Sequence, residues 1–111
     1  MKTLWARLAC LILITPLCAW SQTVTIVGDS ACAHWSNDPA AAKASWLLGY
    51  LSGMNMVWTG EGKTPRNPVG QLKNAAQAYQ WMDGFCKLNP GKKISEGASV
   101  LFFELTSRKP P

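Results

Sequence analysis

Two cysteines, Cys32 and Cys86, constrain this chain more than any other feature, because they are the pair left once its N-terminal leader is set aside. The leader is read from Lys2 and Arg7 ahead of an apolar run, Leu8 to Leu17, that ends in the cleavage-type sequence Ala19-Trp20-Ser21. A signal peptidase reads that order of charge, apolar run and small residues, so residues 1–21 are expected to be removed after Ser21 and the remainder exported. The run is too short to span a bilayer, and a lipid anchor does not fit either, since Cys18 follows Leu17 where a small residue is needed and Cys10 falls too early. Cys10 and Cys18 leave with the leader. In an oxidising compartment the remaining two cysteines have one intramolecular pairing open to them. Closing a loop of about 55 residues stabilises a fold by roughly 4 kcal/mol in the chain-entropy model, against a typical total of about 5 to 15 kcal/mol.

The segment from Gln22 to Pro111 is expected to form a single domain, and a domain of that size buries only about 60 to 65% of its unfolded surface. Lys2 and Arg7 depart with the leader, so the eleven basic side chains become nine against six acidic ones. A mild positive charge suits solubility and attracts anionic surfaces. The pairs Lys92-Lys93 and Arg108-Lys109 are too isolated for a nucleic-acid footprint.

Along the exported chain, Thr23 to Val27 is β-branched but has no later partner strand, and reads as an extended arm. Asp38-Pro39 is a good helix start, and the helix should run from Pro39 to about Val57. Trp46, Tyr50, Met54 and Val57 recur at helical spacing on it, while Gly49 and Gly53 would let another backbone approach closely. Core packing is preferred to a membrane contact for this stretch, because its apolar run is short and contains Asn55. The segment TGEGKTPRNPVG, Thr59 to Gly70, reads as a mobile loop or a series of turns. Leu72, Ala75, Tyr79, Met82 and Cys86 then alternate in steps of three and four, which places Cys86 on the buried stripe of a second helix that Asn89-Pro90-Gly91 stops. A third helix is expected from Ser95 as N-cap, with Glu96 facing the positive helix end and Ala98, Leu101, Phe102 and Leu105 on one side. Trp81 and Phe85 join Trp46 and Tyr50 as expected helix-packing residues.

Catalytic chemistry finds little support. Gly28-Asp29-Ser30 after a β-branched run looks like the nucleophile block of an SGNH-type esterase, but the lone histidine, His34, is only four residues beyond Ser30 and no larger α/β scaffold follows. Cys32 and His34 lack a second cluster to complete a metal site, and neither cysteine sits in a Cys-x-x-Cys motif. Asp83, Glu96 and Glu104 have no spacing that forces any two together. The aromatics Trp35, Trp46, Tyr50, Trp58, Tyr79, Trp81 and Phe85 read mainly as core, with a sugar- or peptide-binding face as the alternative. No catalytic residue, metal or cofactor is expected.

Three blocks carry a family likeness: SACAHW, WLLGYLSGMN and WMDGFCKLNPGKKISEGASVLFFEL. Together they resemble the HdeA-like periplasmic proteins and the related Rap/Tai-type immunity proteins of bacterial type VI secretion, over about Ala31 to Leu105. The resemblance implies a small all-α fold, a three-to-four-helix orthogonal bundle with an extended N-terminal arm, in which a Cys32–Cys86 bridge ties the N-terminal segment to a central helix. It implies a non-enzymatic periplasmic protein whose partner is another protein. HdeA-type members are acid-stress chaperones that loosen and bind unfolding clients, and Tai-type members bind and inhibit a cell-wall amidase effector. Acid acts through native carboxylates, of which this chain has only six. The expectation is therefore a protein-binding domain of stress-chaperone type, with immunity as the alternative and cell-wall fragment binding as a minor one. A homodimer is compatible with it, and the Thr59–Gly70 loop is the expected contact segment.

Overall fold

A computed structural model describes residues 23–36 and 40–109. The leader and the Asp38-Pro39 helix start lie outside them. The described residues form three α-helices, α1 (Ala40–Gly60), α2 (Ala75–Leu88) and α3 (Ile94–Ser107), with short 3₁₀ turns at Cys32–His34 and Pro68–Gln71. No helix among them is long and apolar enough to cross a membrane. Cys32 and Cys86 are bridged, with their Cα atoms 4.7 Å apart, and both are buried.

α1 runs past Val57 because the stop signal lies further on. Gly62 adopts a left-handed φ of 72°, and backbone bonds from Gly62 to Thr59 and from Lys63 to Trp58 close the helix end as a Schellman turn. The expected α1 stripe is also out of phase. Leu47 and Leu51 are buried, while Val57 is 61% exposed. Apolar and polar residues are spread around α1 with almost no preferred side, so its sequence does not fix which side turns inward. Trp46 serves the arm instead of a neighbouring helix: its indole donates to the Val27 carbonyl at 2.8 Å and its ring lies against Gly28, whose φ is 76°. Beside it Tyr50 stacks on Trp46 and its hydroxyl meets that of Ser99 at 2.9 Å.

α2 begins later than the apolar stripe suggested. Asn74 is its N-cap, accepting from the Gln77 amide at 3.1 Å, and the Gln77 side chain accepts from the Lys73 amide at 2.9 Å. Leu72 therefore lies before the helix, though it packs on the core. The helix ends at Asn89, as Asn-Pro-Gly demands.

Ser95 is not the N-cap of α3; that position is Lys93, and Ser95 lies inside the first turn. The cap comes from the distant arm. Asp29 accepts from the Ser95 amide at 3.0 Å and from its hydroxyl at 2.7 Å, while the Ser30 carbonyl accepts from the Ile94 amide at 2.9 Å. The next two amides, of Glu96 and Gly97, bond to the Lys93 carbonyl, so every donor of the first turn is satisfied. Glu96 accepts from the Lys93 amide at 2.8 Å. Cys32 and Ala33 continue the seam by donating to the carbonyls of Lys92 and Pro90. The Gly28-Asp29-Ser30 turn thus clips the arm to the start of α3, beside the bridge that fixes it to α2.

Serine replacement of both Cys32 and Cys86 should lower unfolding free energy by about 4 kcal/mol in urea titrations. In a double-mutant cycle, Asp29→Ala and Ser95→Ala should couple by about 1 to 2 kcal/mol, whereas additive losses would mean that the cap carries no energy.

Candidate functional site

The carboxylates are engaged in structural work at separate places. Asp83 accepts from the buried Trp35 indole at 2.6 Å, Glu96 caps α3, and Glu104 accepts from Trp81 at 3.0 Å and from Arg108 at 2.6 Å. The Arg108 hydrogen bond, helped by the Trp81 indole and opposed by slight burial, holds the Glu104 carboxyl below the ordinary carboxylate range. Its contribution to stability is present above that range and is lost as pH falls through the lowered value. The Glu104–Arg108 pair is about half exposed, so that contribution is small. The described residues contain no group of three potential metal ligands. The Ser30 hydroxyl is buried and hydrogen-bonds to no described residue, His34 included, and His34 itself is exposed.

A hollow of about 560 Å³ beside the disulfide is lined by Trp35, Lys43, Asp83 and Lys87 among others. Lys43 lies over the Trp35 ring at 5.3 Å, and Asp83 is committed to the Trp35 indole. This hollow offers a cationic rim and no reactive pair.

The helix contacts fall elsewhere than the glycine spacing suggested. A Cβ on Gly49 or Gly53 would meet nothing within 4 Å among the described residues, so neither glycine packs against another of the described helices. The close approach is at Gly97, where a Cβ would lie 2.6 Å from Phe85 Cδ1 and 3.0 Å from Met82 Cε. Phe85 cannot easily yield, because it stacks on Trp81 with ring centroids 5.4 Å apart.

Gly53 instead opens a groove of about 360 Å³ between α1 and α3, walled by Met54, Val57, Trp58, Phe102 and Phe103. α1 and α3 advance in the same sense, since Tyr50 meets Ser99 and Trp58 meets Phe102 edge to face at 5.8 Å. Met56 is 75% exposed, Phe103 53% and Val100 48%, which extends the apolar surface along both helices. Apolar side chains gathered along a groove, unlike single exposed ones, mark interaction surfaces. The groove ends where Lys63 lies over the Trp58 ring at 5.0 Å and pairs with Glu61 at 2.8 Å.

The Thr59–Gly70 segment is a series of turns folded back on α1. Asn55 donates to the Asn67 side chain and accepts from the Val69 amide, Trp58 donates to the Pro65 carbonyl at 3.0 Å, and Pro68 is buried. It forms one bank of the groove's end. The helical spacing places Val57 on the core stripe and so hides the groove; the signal for it is that α1 has no concentrated polar side, which leaves exposed apolar residues beside its buried line.

No family model, no curated protein and no solved structure matches this chain.

Gly53→Ala should raise stability by about 0.5 to 1 kcal/mol, as expected for an exposed helix-interior glycine, while Gly97→Ala should lower it by about 1 to 3 kcal/mol through overpacking. Equal effects in thermal melts would contradict the assigned helix contacts.

Proposed function

We propose that this chain is an exported, non-enzymatic protein-binding domain that engages a partner through the α1–α3 groove. The observation that carries this reading is the apolar surface of Met56, Val57, Val100 and Phe103, which stands open in the folded, disulfide-bonded chain. The leader-like N-terminus and the bridge support export, and engagement of the described carboxylates in caps and pairs supports a role other than catalysis. The same reading assigns the helices to a small HdeA-like orthogonal bundle and the segment before Cys32 to its extended arm.

Between the two roles implied by the resemblance, the open groove favours a dedicated partner of the kind an immunity protein has. A chaperone activated by acid must first loosen to expose its apolar surface, whereas here that surface is presented without loosening. The stress-chaperone role remains the second reading, since exposed Met56 and Val57 would also hold unfolded clients.

Light scattering and affinity capture separate the two roles. The purified disulfide-bonded chain should leave aggregation of an acid-unfolded client unchanged at about pH 2 to 3, and should capture a stoichiometric partner from periplasmic extract at neutral pH. Suppression of aggregation without any stoichiometric partner would transfer the assignment to the chaperone role.

A further inference from the structure

We infer that the partner presents to the α1–α3 groove a helical segment with apolar anchors and acidic flanks, an inference that rests on the protein-binding reading above. The apolar half of that description comes from the groove itself. Its walls are Val57, Trp58 and Phe103, and at Gly53 it is shallow enough to admit a second helix backbone, because no side chain fills that place. A helix-interior glycine costs about 1 kcal/mol relative to alanine, and at Gly53 no contact from the described residues offsets that cost. An outside helix packed along the groove supplies the missing contact.

The acidic half comes from charge. α1 and α3 advance toward the same end of the molecule, where Lys63 lines the groove, Arg66 follows the Pro65 that accepts from Trp58, and Lys73, Arg108 and Lys109 line a second hollow at the end of α3. Among the described residues the acidic side chains at this end are Glu61 and Glu104, paired with Lys63 and Arg108. The two helix C-termini return about half a negative charge each, which leaves that end positive. A basic flank beside an apolar groove steers and selects acidic amphipathic helices, and repels basic ones.

The test uses two fluorescein-labelled helical peptides with identical leucine anchors spaced i, i+4 and i+7, one flanked by glutamates and the other by lysines. Anisotropy titration against the disulfide-bonded chain at low salt should show at least tenfold tighter binding of the glutamate peptide. The difference should shrink in about 0.5 M salt, where the Debye length falls to a few ångströms. Gly53→Leu fills the groove and should weaken the glutamate peptide at least tenfold with no loss of melting temperature. Gly84→Leu, the same change on an open face of α2, should leave binding as it was. Should Gly53→Leu misfold, Val57→Asp at a surface position gives the same loss by another route.

Equal affinity for the two peptides, binding of neither, or full binding by Gly53→Leu overturns the inference. So does a concentration-dependent dimer in sedimentation that Gly53→Leu abolishes, because a second copy then fills the groove. A stoichiometric partner that Gly53→Leu captures as well as the parent chain removes the groove assignment and leaves the protein-binding reading standing. Failure of both chains to capture a partner removes that reading too.

Discussion

The fold depends on how the N-terminal segment is held, because that segment ties α2 to α3. The Cys32–Cys86 bridge fastens it covalently to α2, and Asp29, three residues earlier, fastens it to the first turn of α3. The bridge removes freedom from the unfolded chain, and the cap satisfies donors that a helix start would otherwise leave bare. Between them the seam of backbone bonds from Ser30, Lys92 and Pro90 closes the gap. Trp46 then lays α1 against the arm through Val27 and Gly28, so all three helices meet the same short stretch.

With its buried side set by Leu47 and Leu51, α1 turns Ser45, Gly49 and Ser52 outward together with the large apolar side chains of Met56 and Val57. A fold this small has too little mass to cover them. The turns after Gly62 are occupied with Asn55 and Trp58 at one end of the helix, and α3 covers the flank through Phe102. The uncovered remainder is the groove at Gly53. A leftover of this kind is tolerable only if the surface stays small or finds a partner, and the basic side chains at the same end of the molecule give it direction.

The readable and unreadable parts of the sequence divide along physical lines. α3 was legible in register, because Ala98, Leu101, Phe102 and Leu105 share one side while Glu96 before them and Glu104 among them fix the outward side. α1 was legible as a helix but not in phase, since Trp46, Leu47, Tyr50 and Leu51 offer apolar candidates on neighbouring lines. The cysteine pairing is legible by counting if residues 1–21 are set aside as a leader, since Cys32 and Cys86 then have one pairing open to them. Two local signals mark the remaining helix ends, Asn74-x-x-Gln77 for the start of α2 and Gly62 for the end of α1. The Asp29–Ser95 cap was beyond reading, because its partners are 66 residues apart and each looks like an ordinary local cap or turn residue. The groove was hidden for a related reason: glycines four apart announce close packing without saying whether the neighbour is inside the chain or outside it.

The central claim is that the native, bridged fold leaves one apolar side of α1 and α3 open. Solvent paramagnetic relaxation of the methyl groups in the free disulfide-bonded protein measures this directly. Strong enhancement is predicted at Met56, Val57 and Val100, and almost none at Leu47, Leu51, Leu101 and Leu105. Methyls of Met56 and Val57 as shielded as those of Leu47 and Leu51 would mean that the groove is closed in solution, and would contradict the account.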